Sequence, residues 1–321
     1  MKPIKNNFKY ITMNKKTFLF ASALAMSLTL ASCSQETDVI QEKERKTVQQ
    51  YESVDELTRQ LKEYNSQFLI KNGGENDMSR GVKVTYSKSD IVKIAISDVK
   101  GGIRGSGGGP GGAIVGGAIV GAATSSLIKF SKITLKKLLW GYIKENYLTP
   151  HVYKSNGDGQ YADSIGYYHN ELEYAMYDYD RESARRPSAE LVSQANARLL
   201  SMSRGFNMEG GLSLSSQLAL ASDIDDIREA DESLSFKEYC KRLKQQHPED
   251  AEYIDFCAEY IYTAVYANIS DLEEYTQGVM YRIMNSNVDV SDRKTLYNGV
   301  QIAYASILYS QNMKFTSVDN Q

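Results

Sequence analysis

Three histidines, three cysteines and a scatter of acids are what this 321-residue chain offers for chemistry. The densest group runs from Asn156-Gly157-Asp158-Gly159-Gln160 through Asp163 to His169-Asn170-Glu171. A glycine-rich acidic turn can hold calcium through oxygen ligands, but Tyr161 stands where an EF-hand loop needs its fixed glycine. His169 and Glu171 are two apart, so on a helix they do not share a face. For hydrolytic or metal chemistry the candidates are Asp163, His169 and Glu171. The plainer reading of the same residues is a turn and a helix start, with His169 as a capping or packing side chain. His151 and His247 have no acid or thiol at useful spacing. Gly107, Gly109 and Gly112 fit G-x-G-x-x-G, yet Pro110 interrupts them and no acid follows near twenty residues on. Ser126 and Lys129 form S-x-x-K without its S-D-N and K-T-G companions. No cofactor and no resident metal are expected.

Cys240 and Cys257 flank His247-Pro248, which reads as the turn of a helical hairpin. An oxidising compartment permits a bridge there, and closing so short a loop contributes about 3 kcal/mol in the chain-entropy model. The alternative is two buried free thiols. Neither spacing is that of a zinc site.

The third cysteine has a different setting. Met13-Asn14-Lys15-Lys16 is a positive start, and Phe18 to Ala31 is an uncharged apolar run, too short to span a bilayer. The run ends in Leu30-Ala31-Ser32-Cys33, which resembles the lipobox of bacterial lipoproteins. The resemblance implies that residues 1–32 are removed as a signal peptide and that the Cys33 thiol is diacylated. Ser34, rather than aspartate, implies the outer membrane. Glu36 and Asp38 resemble acidic surface-export tags, so the chain faces the periplasm or the cell surface. Two or three acyl chains anchor stably where one does not. Membrane lipid is therefore the first expected partner.

Removing residues 1–32 takes away five lysines and no acid, so the net charge of −3 becomes −8. A mildly acidic chain argues against nucleic acid as a partner. Residues 33–52 are polar and charged and read as a flexible tether.

The second unusual feature is glycine. Gly101, Gly105, Gly109, Ala113, Gly117, Gly121 and Ser125 fall at strict four-residue spacing. Small residues at that spacing make a flat groove against which another backbone can pack closely. Pro110 is expected to start a helix over 111–128, about 27 Å long. Its glycines make it a poor solitary helix in water, so it needs a partner surface. After it, Lys129, Lys132, Lys136 and Lys137 interleave with Phe130, Ile133, Leu138 and Trp140, the composition of an interfacial helix. The segment resembles glycine-zipper envelope proteins and the glycine-rich stretches of some bacteriocins. It fits three arrangements: contact with membrane or another copy, a close-packed hairpin within the domain, or a linker. Zipper packing is expected at Gly105, Gly109, Ala113, Gly117 and Gly121, and self-association follows if the partner is a second copy.

The remaining elements are mostly helical. Ser53 with Glu56, Ser235 with Glu238 and Ser270 with Glu273 form capping boxes. Ser89, Ser188 and Ser291 are further expected caps, and Pro248 suits a first helical turn. Val82 to Tyr86 alternates like a short strand. Tyrosines such as Tyr253, Tyr260, Tyr262, Tyr266, Tyr275 and Tyr281 read as partly buried rings at the core's rim, or else as a binding face. The expected fold is mainly α, a helical bundle. It comprises a small helical region over 53–100, the glycine-zipper segment over 101–130 and an all-α domain over 131–321. The expected function is that of a lipid-anchored envelope protein with a binding or structural role. The alternatives are a tethered hydrolase or metal-dependent enzyme using residues 156–171, and a pore-forming or antagonistic factor.

Overall fold

The computed structural model describes residues 52–72, 86–106, 115–136, 139–143, 165–176, 183, 185–202, 212–230, 233–267, 269–312 and 314–317. The lipobox, the tether up to residue 51, Gly109, Pro110, Ala113, His151 and Asp163 lie outside them. So does the expected strand from Val82 to Thr85; Tyr86, which follows it, is buried just ahead of a helix.

The helices are α1 (Val54–Asn72), α2 (Lys88–Gly105), α3 (Val115–Lys136), α4 (Ile165–Ala175), α5 (Ser188–Met202), α6 (Leu214–Glu229), α7 (Phe236–Gln246), α8 (Ala251–Tyr266), α9 (Ile269–Asn285) and α10 (Val290–Asn312). A 3₁₀ turn, Pro248–Asp250, leads into α8. Two short strands, β1 (Leu139–Ile143) and β2 (Lys314–Ser317), pair antiparallel with an irregular register between Leu139 and Tyr142. The expected basic helix therefore ends at Lys136, and Trp140 lies in a strand. The fold is a mainly α helical bundle.

Local signals explain several helix starts. Ser53 Oγ accepts from the Glu56 amide at 3.1 Å, and Ser235 with Glu238 closes a full capping box. Other starts differ from expectation. Ser87, not Ser89, caps α2, in a reciprocal box with Asp90. Asp289, not Ser291, caps α10: its carboxylate accepts from both the amide and the hydroxyl of Ser291. Ser188 instead donates its hydroxyl to Asp225 of α6 at 2.5 Å, which ties α5 to α6. The α9 helix begins at Ile269, one residue ahead of Ser270, whose side chain lies outside the described residues. An acid at the right offset, or a tertiary partner, decides these starts over the nearest serine.

The core is built around α2, which packs against α3, α6, α7, α8 and α10. With neighbours on so many sides, it is buried on nearly every face from Ile91 to Ile103. The expected divisions after residues 100 and 130 fall inside α2 and α3, and residues 51–321 form one compact unit. The bundle therefore begins at α1 and not near residue 131.

The pairing of α2 with α3 depends on glycine. A Cβ built on Gly101 would lie 2.8 Å from the Gly121 carbonyl carbon, and one on Gly121 would lie 2.7 Å from that of Gly101. Gly105 and Gly117 face each other in the same way, at 2.7 and 2.9 Å. In every case the carbonyl oxygen would be closer still. Both pairs are symmetric about position 111, so the four-residue stripe doubles back on itself. Backbones this close are open only to glycine, and they bring Cα–H groups against carbonyl oxygens. The glycines of α3 cost helix stability relative to alanine, and close packing offsets that cost.

Candidate functional site

Two polar clusters lie along α2, each organised around a histidine. The first is sealed. Asp98 Oδ2 accepts hydrogen bonds from Ser306 of α10 at 2.6 Å and Ser126 of α3 at 3.0 Å. His169 of α4 places Nε2 3.7 Å from the same oxygen and 3.9 Å from Glu173 Oε2. Asn170 donates to the Ala305 carbonyl at 3.0 Å, which leaves its side-chain oxygen, 2.8 Å from His169 Nδ1, to accept from the ring. The lone pair of Nε2 then faces the carboxyl groups. Asp98, His169 and Lys129 have no exposed surface. Burial pushes the His169 ring down to about 4, against the Asn170 hydrogen bond. Burial also pushes the Asp98 carboxyl well up, opposed by Ser306, Ser126 and the Lys129 ammonium.

Lys129 itself lies over the Tyr239 ring, 4.3 Å from its centre, and the Tyr239 hydroxyl is 2.7 Å from Ser97 Oγ. Lys132 donates to the carbonyls of Arg228 and Ala230 at 2.6 and 2.7 Å, capping the C-terminal end of α6. Two of the four lysines expected at a membrane interface thus serve the interior of the bundle. The side chains of Lys136, Lys137 and Trp140 lie outside the described residues.

The second cluster sits at the rim, where α2 ends. Arg104 donates Nε to Asp223 of α6 at 3.0 Å and Nη1 to Glu249 at 2.8 Å, with Asp250 Oδ2 3.5 Å away. His247, between α7 and the 3₁₀ turn, has Nε2 3.1 Å from Asp226 and 3.6 Å from Asp223, and Nδ1 3.3 Å from Glu249. The placement suits the backbone: a cation ends α2, and acids precede α8. Burial pushes Asp250 up and Lys100 down to about 8, the latter against Asp226, Asp250 and Asp223. Glu249 is held below its usual range by its backbone amide first, then by His247 and Arg104.

Measured against protein-family models, curated proteins and solved structures, the chain matches none.

Of the candidates in the 156–171 region, only His169 and Glu171 are among the described residues, and they do not converge. Asp163 lies outside the described residues, His169 points into the sealed cluster, and Glu171 is partly exposed. The partners of His169 are Asp98, Asn170 and Glu173; only Glu173, four residues on, carries a helical spacing signal. His247, which has no useful company in sequence, gains three carboxylates from α6 and the turn. Glu249 is only two residues on, but Asp223 and Asp226 come from α6, beyond the reach of local spacing.

Cys240 and Cys257 are free thiols, both buried, which is the alternative to a bridge. Cys257 Sγ lies 2.9 Å from where a Gly299 side chain would begin, so it is turned toward α10. Burial pushes both thiols up to about 12, leaving them as unreactive packing groups. Of the expected zipper residues, Gly105, Gly117 and Gly121 join Gly101 in the α2–α3 contact. The tyrosines divide: Tyr253, Tyr260 and Tyr275 are buried, whereas Tyr262, Tyr266 and Tyr281 are 50%, 42% and 63% exposed. Among the described residues, no helix is long and apolar enough to cross a membrane.

Proposed function

We propose that this chain is a lipid-anchored envelope protein with a binding or structural role, held to the outer membrane by acyl chains on Cys33. The observation that carries the reading is Leu30-Ala31-Ser32-Cys33 at the end of an uncharged apolar run. The polar stretch over 33–52 would separate the anchor from the bundle, and the exposed rings of Tyr262, Tyr266 and Tyr281 offer it contact groups. Within this reading the glycine stripe is an internal zipper, because Gly101, Gly105, Gly117 and Gly121 already fill one another's grooves.

The test is the intact mass of the mature N-terminus after expression in a bacterium with the lipoprotein pathway. The expected result is a chain beginning at an acylated Cys33, and a Cys33→Ser variant that lacks acyl groups and leaves the membrane fraction. A mature chain that begins elsewhere, with an unmodified thiol, overturns the proposal. A hydrolase using His169 would need substrate to reach a side chain with no exposed surface. A pore-forming role would need α2 and α3 to leave the bundle with Asp98, Lys100 and Lys129 aboard.

A further inference from the structure

The rim cluster holds more negative than positive charge. Asp223, Asp226, Glu249 and Asp250 bring four carboxylates, and Arg104 and Lys100 bring two cations. The carboxylates outnumber the Arg104 and Lys100 cations by two. One ligand atom each from His247, Glu249 and Asp250 lie within 4.8 Å of one another. Asp250 is 1% exposed, and neither of its carboxylate oxygens has a hydrogen bond among the described residues. Its nearest ion-pair contact is Arg104 Nη1, at 3.5 Å. A buried carboxylate left in that state calls for a closer cation. An imidazole nitrogen and two carboxylates on one short turn are the donors that suit a first-row divalent ion, with water completing its shell.

We propose that the turn His247–Asp250 binds a first-row divalent cation of the zinc or manganese class through His247, Glu249 and Asp250. The ion carries the two charges that the cluster lacks. It competes with Arg104, which shares Glu249 and Asp250 but keeps Asp223 as a partner at 3.0 Å. Glu249 is half exposed and opens a path from solvent. Neither the ion nor its ligands depend on the lipid anchor.

The test is calorimetric titration of the purified protein with Zn²⁺ and with Mn²⁺, repeated on His247→Gln, Glu249→Gln and Arg104→Gln, each checked for helical content. The expected result is saturable one-site binding, weakened about tenfold or more by His247→Gln and by Glu249→Gln. Arg104→Gln should tighten binding by up to about tenfold, because it removes the competing cation. A purely structural ion-pair cluster would not tighten in this way. Absence of binding at millimolar metal, or binding unchanged in His247→Gln and Glu249→Gln, overturns the proposal.

Discussion

The two histidine clusters share one helix but have opposite chemistry. His169 sits where α2, α3, α4 and α10 converge, and its acids and hydroxyls are closed off from water. His247 sits where α2 ends, 14% exposed, among carboxylates that reach solvent. In the sealed cluster, hydrogen bonds from Ser126 and Ser306 to Asp98 and from Asn170 to the Ala305 carbonyl tie α4 and α10 to the α2–α3 pair, although Asp98 Oδ1 and His169 Nε2 make none among the described residues. At the rim the same residue types remain open to ions. Depth along the bundle, more than residue type, separates a lock from a site.

The largest loss is expected from bulk in the glycine contact. Gly121→Leu drives a side chain into the Gly101 carbonyl and should cost about 4 kcal/mol or more, disturbing the sealed cluster before the rim. Urea unfolding measures the loss; a change under about 1 kcal/mol would mean that α2 and α3 are not in contact there. Next is Asp98→Ala, which strands Ser126, Ser306 and Lys129 and should cost about 3–5 kcal/mol. Asp98→Asn keeps the shape and an acceptor for Ser126 and Ser306, and should cost less. Equal losses for the two variants would mean that the Ser126 and Ser306 hydrogen bonds contribute little.

Acid sharpens the contrast further. The His169 ring is held near 4 when folded and titrates near 6.5 when unfolded, so the unfolded chain binds the extra proton between those values. The stability linked to His169 is complete above about pH 6.5 and is lost as pH falls toward 4, by on the order of 3 kcal/mol. His169→Gln should flatten that part of the pH profile; an unchanged slope would place the acid sensitivity elsewhere. The smallest effect belongs to the rim. Arg104→Gln should cost about 1 kcal/mol, and less as salt is raised, whereas the Asp98→Ala loss should barely respond to salt.

How much of this is legible in the sequence follows the range of each signal. Ser53 and Ser235 announce helix starts because a capping box is complete within one turn. The buried faces of α1, α5, α8 and α10 follow from the spacing of Leu57 and Leu61, Leu191 and Ala195, Ile254 and Ile261, and Val300 and Ala303. The glycine stripe is plain to read, but its symmetry about position 111, which turns a surface into a hairpin, means nothing until the chain folds back. The lysines after it alternate with apolar residues as an interfacial helix would, and only the tertiary positions of Tyr239 and α6 give Lys129 and Lys132 interior roles. His247 shows only Glu249 and Asp250 beside it in sequence, because Asp223 and Asp226 lie on α6, a whole helix earlier in the chain.

Gly101 and Gly121 face each other within one chain. A double-mutant cycle with Gly101→Ala and Gly121→Ala, measured by urea unfolding at two protein concentrations, tests it most directly. The added methyl groups push the same two helices apart, so the second should cost less than the first. The predicted result is a coupling of about 1 kcal/mol or more, independent of concentration. Losses that add within about 0.5 kcal/mol, or a coupling that appears only at high concentration, would contradict an intrachain contact.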